Sequence, residues 1–214
     1  LMDDEPKKME LQYATNPGTN YIASKMSETA LAKIQKEVSE SVTKEYTETI
    51  FDLMGTVGDG MCNVSLGTSG TVFISSSKFG VDSHNALHAF AHADGHYHLM
   101  GCMLSAASCN KWWMDEIIRT KEYTKEQENI TKLGENNVFF LPYLMGERSP
   151  HNNPDARGTF IGLTMDTTRE DMTQAVLEGV AFAIRDSFEV AKSLGIQIER
   201  TKICGGGAKS PLWR

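Results

Sequence analysis

The sequence predicts an α/β fold over residues 55–214, and three observations carry that expectation. Short apolar runs bounded by glycines, such as "MCNVSLGTSGTVFIS", have the length and turn chemistry of strands. Between them stand longer stretches of helical period, the clearest being "TTREDMTQAVLEGVAFAIRDSFEVAKSLG". The last strand-like run, "ERTKIC", empties into Gly205, Gly206 and Gly207, an arrangement in which backbone amides can face a ligand with no side chain in the way.

In chain order, Cys62 to Leu66 and Thr71 to Ile74 read as a hairpin turning through Gly67-Thr68-Ser69-Gly70. "HYHLMG" reads as a further strand, and Met103 to Arg119 as a helix that packs Leu104, Trp112 or Trp113, and Ile117 inward. "NVFFLPYL", ended by Pro142, and "GTFIGLT" are strands. Thr168 to Leu194 is the strongest helix, with Thr167 or Thr168 as its cap, Glu170 and Asp171 in its first turn and Gly195 at its end. After the glycine triplet, Lys209 to Arg214 opens another helix.

Residues 1–54 have a different texture, polar and rich in Lys, Glu, Ser and Thr. Leu31, Ile34, Val38 and Val42 there form a narrow apolar stripe at helical spacing, so this is a mostly helical N-terminal segment with no chemistry assigned to it.

The chain has 214 residues and 40% hydrophobic residues, enough for a sizeable core. Its formal net charge of −7 argues against a nucleic-acid partner. No apolar run reaches the roughly 18 residues of a membrane span, so no membrane partner is expected. The four cysteines lack metal spacing and read as free thiols in a cytoplasmic protein. His84, His88, His92 and His96 recur every four residues, but Gly95 and the alternation of small and large side chains favour strand and loop over a metal-binding helix. The dense loop "GERSPHNNPDARG" reads as structural, and no serine sits in a nucleophile elbow.

Taken together, "SLGTSG", "HLMGCMLSAASCNKWW", "FLPYLMGERSPHNNPDARGTFIGLT", "DMTQAVLEGVAFAIRDS" and "GGGAKSPLWR" resemble the C-terminal, ATP-binding domain of FGGY-family carbohydrate kinases. The match runs from about Gly55 to Arg214 and includes the family's long second signature around Gly158, Gly162, Asp171 and Glu178. The resemblance implies part of an actin-like, ribonuclease-H-like ATPase domain, with ATP and Mg²⁺ as cofactors and nucleotide and sugar as partners. It implies that Gly67 and Thr68 receive phosphates, that Gly158 lets the nucleotide lie against a strand, and that Gly205, Gly206 and Ala208 underlie adenosine with Ser210 near the base or ribose.

The family's general base is the aspartate of a "GGGD" motif, and the corresponding stretch here, "TKEYTETIFDLMG", lacks the glycines. Glu45, Glu48 and Asp52 are the nearest carboxylates, and no catalytic residue is assigned. The family's first domain and the end of its second are expected to be missing from this chain. The apolar surface a whole kinase would bury is then expected to favour association, a homodimer being the simplest form.

Overall fold

The computed structural model describes residues 56–92 and 94–214, all within the second of two compact units, Phe51–Arg214. The helix expected around Leu31 to Val42, and the carboxylates Glu45, Glu48 and Asp52, lie outside the described residues.

Among the described residues seven strands form: β1 (Met61–Leu66), β2 (Gly70–Ser76), β3 (His88–Ala91), β4 (Tyr97–Met103), β5 (Phe139–Leu141), β6 (Thr159–Ile161) and β7 (Arg200–Cys204). Five of them make one mixed sheet in the order β3-β4-β2-β1-β7. Every pairing in it is antiparallel except that of β1 with β7, which is parallel and sets Ser65 beside Cys204. β5 and β6 form a separate antiparallel pair with Phe140 opposite Phe160.

Period-2 alternation puts Cys62, Val64, Leu66, Val72, Ile74, Leu99 and Met103 on the buried side of the large sheet. They meet the apolar stripe of α3 (Arg169–Ser193), whose Val176, Val180, Ala183 and Ala191 are also buried. Two glycines let this helix come close. A Cβ on Gly101 of β4 would stand 2.8 Å from the Ser187 hydroxyl, and one on Gly179 would stand 2.2 Å from the Phe140 carbonyl oxygen. One helix therefore seals both sheets. Its start is fixed by a capping box: the Thr168 hydroxyl accepts from the Asp171 amide while the Asp171 carboxylate accepts from the Thr168 amide.

The helix expected from Met103 to Arg119 needs correction. Met103 is the last residue of β4, paired with Gly70. The helix α1 spans Ala107–Trp112 and continues as a π-helical turn, Trp113–Ile117, until Arg119 takes a positive φ of 55°. The wider turn carries one extra residue, which rotates the buried face. Trp113 and Met114 go inward and Ile117, expected in the core, is exposed. Trp113 is locked by its indole N–H, which donates to the Thr173 hydroxyl at 2.9 Å. A short helix, α2 (Tyr123–Gln127), follows and is joined to the start of α3 by the Arg169–Glu126 ion pair.

Candidate functional site

Parallel pairing of β1 with β7 brings the ends of both strands, and hence both glycine turns, to the same edge of the sheet. A Cβ on Gly205 (φ 88°) would lie 2.6 Å from the Leu66 carbonyl oxygen and 3.1 Å from the Gly67 nitrogen, so the turns touch through backbone. Gly207 is equally confined, between Leu66 and the ring of Trp213. Gly206 differs: nothing lies within 4 Å of where its side chain would be, and its φ of −63° suits any residue. Its missing side chain opens onto space.

Gly206 also lines a cavity of about 480 Å³. Gly206, Gly207, Lys209 and Ser210 form one wall, Ala107 and Asn110 of α1 a second, and Tyr123, Thr124 and Gln127 of α2 a third, with Pro211, Leu212 and Trp213 closing it. The walls are braced. The Ser210 hydroxyl donates to Gln127 Oε1 at 2.7 Å and accepts from the Trp213 amide, while the Trp213 indole N–H donates to the Leu177 carbonyl at 3.0 Å. Arg214 N–H donates to the Ser210 carbonyl, so Ser210 and Pro211 open a helical turn as their residue types dictate. Tyr123 donates its hydroxyl to Asp115, which also binds Lys111 and Lys121. Those hydrogen bonds, that of Lys111 foremost, hold the Asp115 carboxyl far below the usual carboxylate range, and burial pushes the Tyr123 phenol up. Asn110 Oδ1 is buried with no hydrogen-bond partner among the described residues.

The β1–β2 turn abuts this cavity through α1. Ala106 N–H donates to the Thr68 carbonyl at 3.0 Å and Ala107 N–H to the Gly67 carbonyl at 2.9 Å, and the Ser108 hydroxyl also binds the Thr68 carbonyl. The amides that α1 would leave bare are thus satisfied by the turn. In a trans peptide the C=O and N–H point opposite ways. With both carbonyls turned toward α1, the amides of Thr68 and Ser69 face away from it, beside two exposed hydroxyls. That is a donor-rich, uncrowded surface suited to phosphate oxygens.

Of the residues singled out in the sequence, Gly206 and Ser210 line the cavity, Gly205 and Ala208 flank it in the same loop, and Gly67 and Thr68 form the adjoining turn. Gly158 is not brought to it: the place of its Cβ is filled by Leu144, 2.6 Å away, which makes it a packing glycine in this structure. Ala107, Asn110, Tyr123, Thr124, Gln127 and Trp213 were not anticipated. A π turn and a short loop bring α2 to the glycines, and no periodicity announces that.

The sheet order, the single long sealing helix and the placement of the two turns define an α/β domain of the actin-like ATPase class. The chain belongs to the FGGY family of carbohydrate kinases, whose C-terminal domain model matches residues 62–214. The xylulose kinase of Escherichia coli K12 is 41% identical over 168 residues, covering 75% of this chain and 34% of that protein. The gluconokinase of Bacillus subtilis is 32% identical over 168 residues, covering 72% of this chain and 33% of that protein. Among solved structures, a xylulose kinase from Brucella ovis superposes with a TM-score of 0.70 at 42% identity, covering 75% of this chain and 33% of that one. The chain thus spans about a third of the length of the curated relatives it matches.

Proposed function

We propose that this chain is the nucleotide-binding part of an ATP-dependent sugar kinase, which transfers the γ-phosphoryl group to the 5-hydroxyl of D-xylulose. The observation that carries the nucleotide half is the cavity that the uncrowded Gly206 lines, beside a turn with outward amides. Phosphoryl transfer asks for positioning and charge stabilisation more than covalent participation, and backbone donors in tight turns supply both. The sugar is favoured by the xylulose kinases at 41% and 40% identity; the gluconokinase at 32% is what supports a different polyol or sugar acid.

Among the described residues no group of three or more His, Cys, Asp or Glu could hold a metal. Mg²⁺ keeps several waters and takes phosphate oxygens with one or two carboxylates, so the ion this reading requires would arrive on the nucleotide.

A second reading, nucleotide binding without transfer, is favoured by the stretch "TKEYTETIFDLMG", which has no glycine turn to place a carboxylate base. Two measurements separate the readings. Calorimetric titration with ADP should show binding that Gly206→Asp abolishes, since a charged side chain would then occupy the space this reading gives to adenosine. With Mg²⁺, ATP and D-xylulose, the chain alone should release no ADP in a sugar-dependent manner, because a placed base commonly contributes about 10²- to 10⁴-fold. Sugar-dependent turnover that Thr68→Ala and Gly206→Asp both remove would show that Glu45, Glu48 or Asp52 serves as the base, and the non-catalytic reading would fall.

A further inference from the structure

Glu147 is a carboxylate in the wrong place for a surface loop. It is 2% exposed, although it belongs to the charged stretch between β5 and β6 that reads as ordinary loop. Its own backbone is fastened by reciprocal bonds with Asn153, each 2.8 Å. Its Oε1 accepts from the Arg148 amide at 2.7 Å and from the Leu104 amide at 3.0 Å. Leu104 is the first residue beyond β4, where the ladder no longer supplies a partner for its N–H. The adjoining Ser149 amide donates to the Cys102 carbonyl at 3.0 Å, so the loop grips the last residues of β4 from both sides of the carboxylate.

The four residues from Leu104 to Ala107 form a short tether. Its far end supplies the amides of Ala106 and Ala107, which hold the Thr68 and Gly67 carbonyls. Its near end hangs on Glu147. The seam is polar: Glu147 Oε2 and the hydroxyls of Ser105 and Ser149 are buried with no hydrogen-bond partner among the described residues. Burial raises the Glu147 carboxyl above its ordinary range, and the two backbone donors oppose that rise.

We propose that Glu147 is a positioning residue for the β1–β2 turn: its carboxylate fixes the β4–α1 junction, and through the Ala106 and Ala107 amides it holds the Thr68 and Ser69 amides outward. Its functional meaning rests on the reading of that turn as the phosphate site, but the mechanical link stands on the bonds themselves. A residue that merely filled the core would stabilise all parts of the sheet alike, whereas this link is local.

The test is amide hydrogen exchange on the whole chain with Glu147→Leu, Glu147→Asp and Glu147→Gln. Leu offers no acceptor, Asp keeps the charge but falls short by a methylene, and Gln keeps an acceptor at full reach. Leu and Asp should each speed exchange at Ala106 and Ala107 by about tenfold or more relative to the β1–β7 ladder amides, the signature of local opening, and Gln should change it by less than about threefold. ADP affinity should fall with Leu and Asp and return with Gln. If Glu147→Leu does not fold, Glu147→Asp decides by the same comparison. Unaltered protection at Ala106 and Ala107, or acceleration spread equally over the ladder, would overturn the proposal. Absence of ADP binding by the unmodified chain would instead remove the phosphate reading, with the exchange pattern still deciding the link.

Discussion

Gly205 and Gly206 are neighbours of one type whose substitution should have opposite consequences. At Gly205 an alanine would need φ 88° and would meet the Leu66 carbonyl at 2.6 Å, so Gly205→Ala should cost about 1–3 kcal/mol of stability. At Gly206 the backbone is ordinary and the space empty, so Gly206→Ala should stay within about 0.5 kcal/mol while weakening ADP binding. Urea unfolding and titration of both variants would check the pair. The sequence singled out both glycines, because three in a row after a strand are conspicuous, but not which one is left uncrowded beside the cavity; that depends on how β7 registers with β1. His98 is a second residue with a readable consequence. It stacks between Phe73 and Phe90, and burial, then the nearby His92, lowers its pKa to about 4. The folded pKa lies below the unfolded value of about 6.5, so the unfolded chain takes the proton first as pH falls. Stability from this group is full above pH 6.5 and is lost progressively toward pH 4. Urea midpoints should decline over that window, and His98→Phe, which keeps the stack, should flatten the decline; equal slopes in both proteins would rule His98 out.

Elements were legible where local chemistry alone sets them. The cap of α3 is written in Thr168 and Asp171, and the structure forms the capping box with those residues. Thr168→Ala should therefore cost about 1 kcal/mol in chemical denaturation. The hairpin of β1 and β2, the strand at Tyr97–Met103 and the end of α3 near Gly195 follow from the same kind of signal. α1 was misjudged because helical periodicity counts 3.6 residues per turn, and a π turn breaks the count after Trp112. The start was placed too early for a related reason. Met103 and Leu104 are good helix formers, but Met103 is taken by the ladder with Gly70 and Leu104 by a carboxylate 43 residues away. Neither partner can be seen from the local sequence. Glu147 itself reads as surface charge for the same reason.

At the scale of the molecule, the second sheet leaves a visible surface. Phe139, Leu141 and Ile161 lie on the side of the β5–β6 pair away from α3, and Leu163 and Met165 follow them; all are exposed. Such a contiguous apolar face favours association. Sedimentation velocity over a concentration series should show dimer or larger species, and charged substitutions at Phe139 and Ile161 should shift the chain toward monomer; monomer throughout would count against the expected association. No helix among the described residues is long and apolar enough to cross a membrane. The parallel strand pair has one further consequence, in time rather than space. Asn63 and Cys204 touch across 141 residues of sequence, and closing so long a loop is among the slower and later steps a chain takes. The hairpins can form as their residues emerge from the ribosome, but the glycine loop finds its seat only after β7 has crossed the whole sheet. The cavity therefore matures after the hairpins, and a nascent or nicked chain lacking β7 would carry the turn at Thr68 without any pocket beside it.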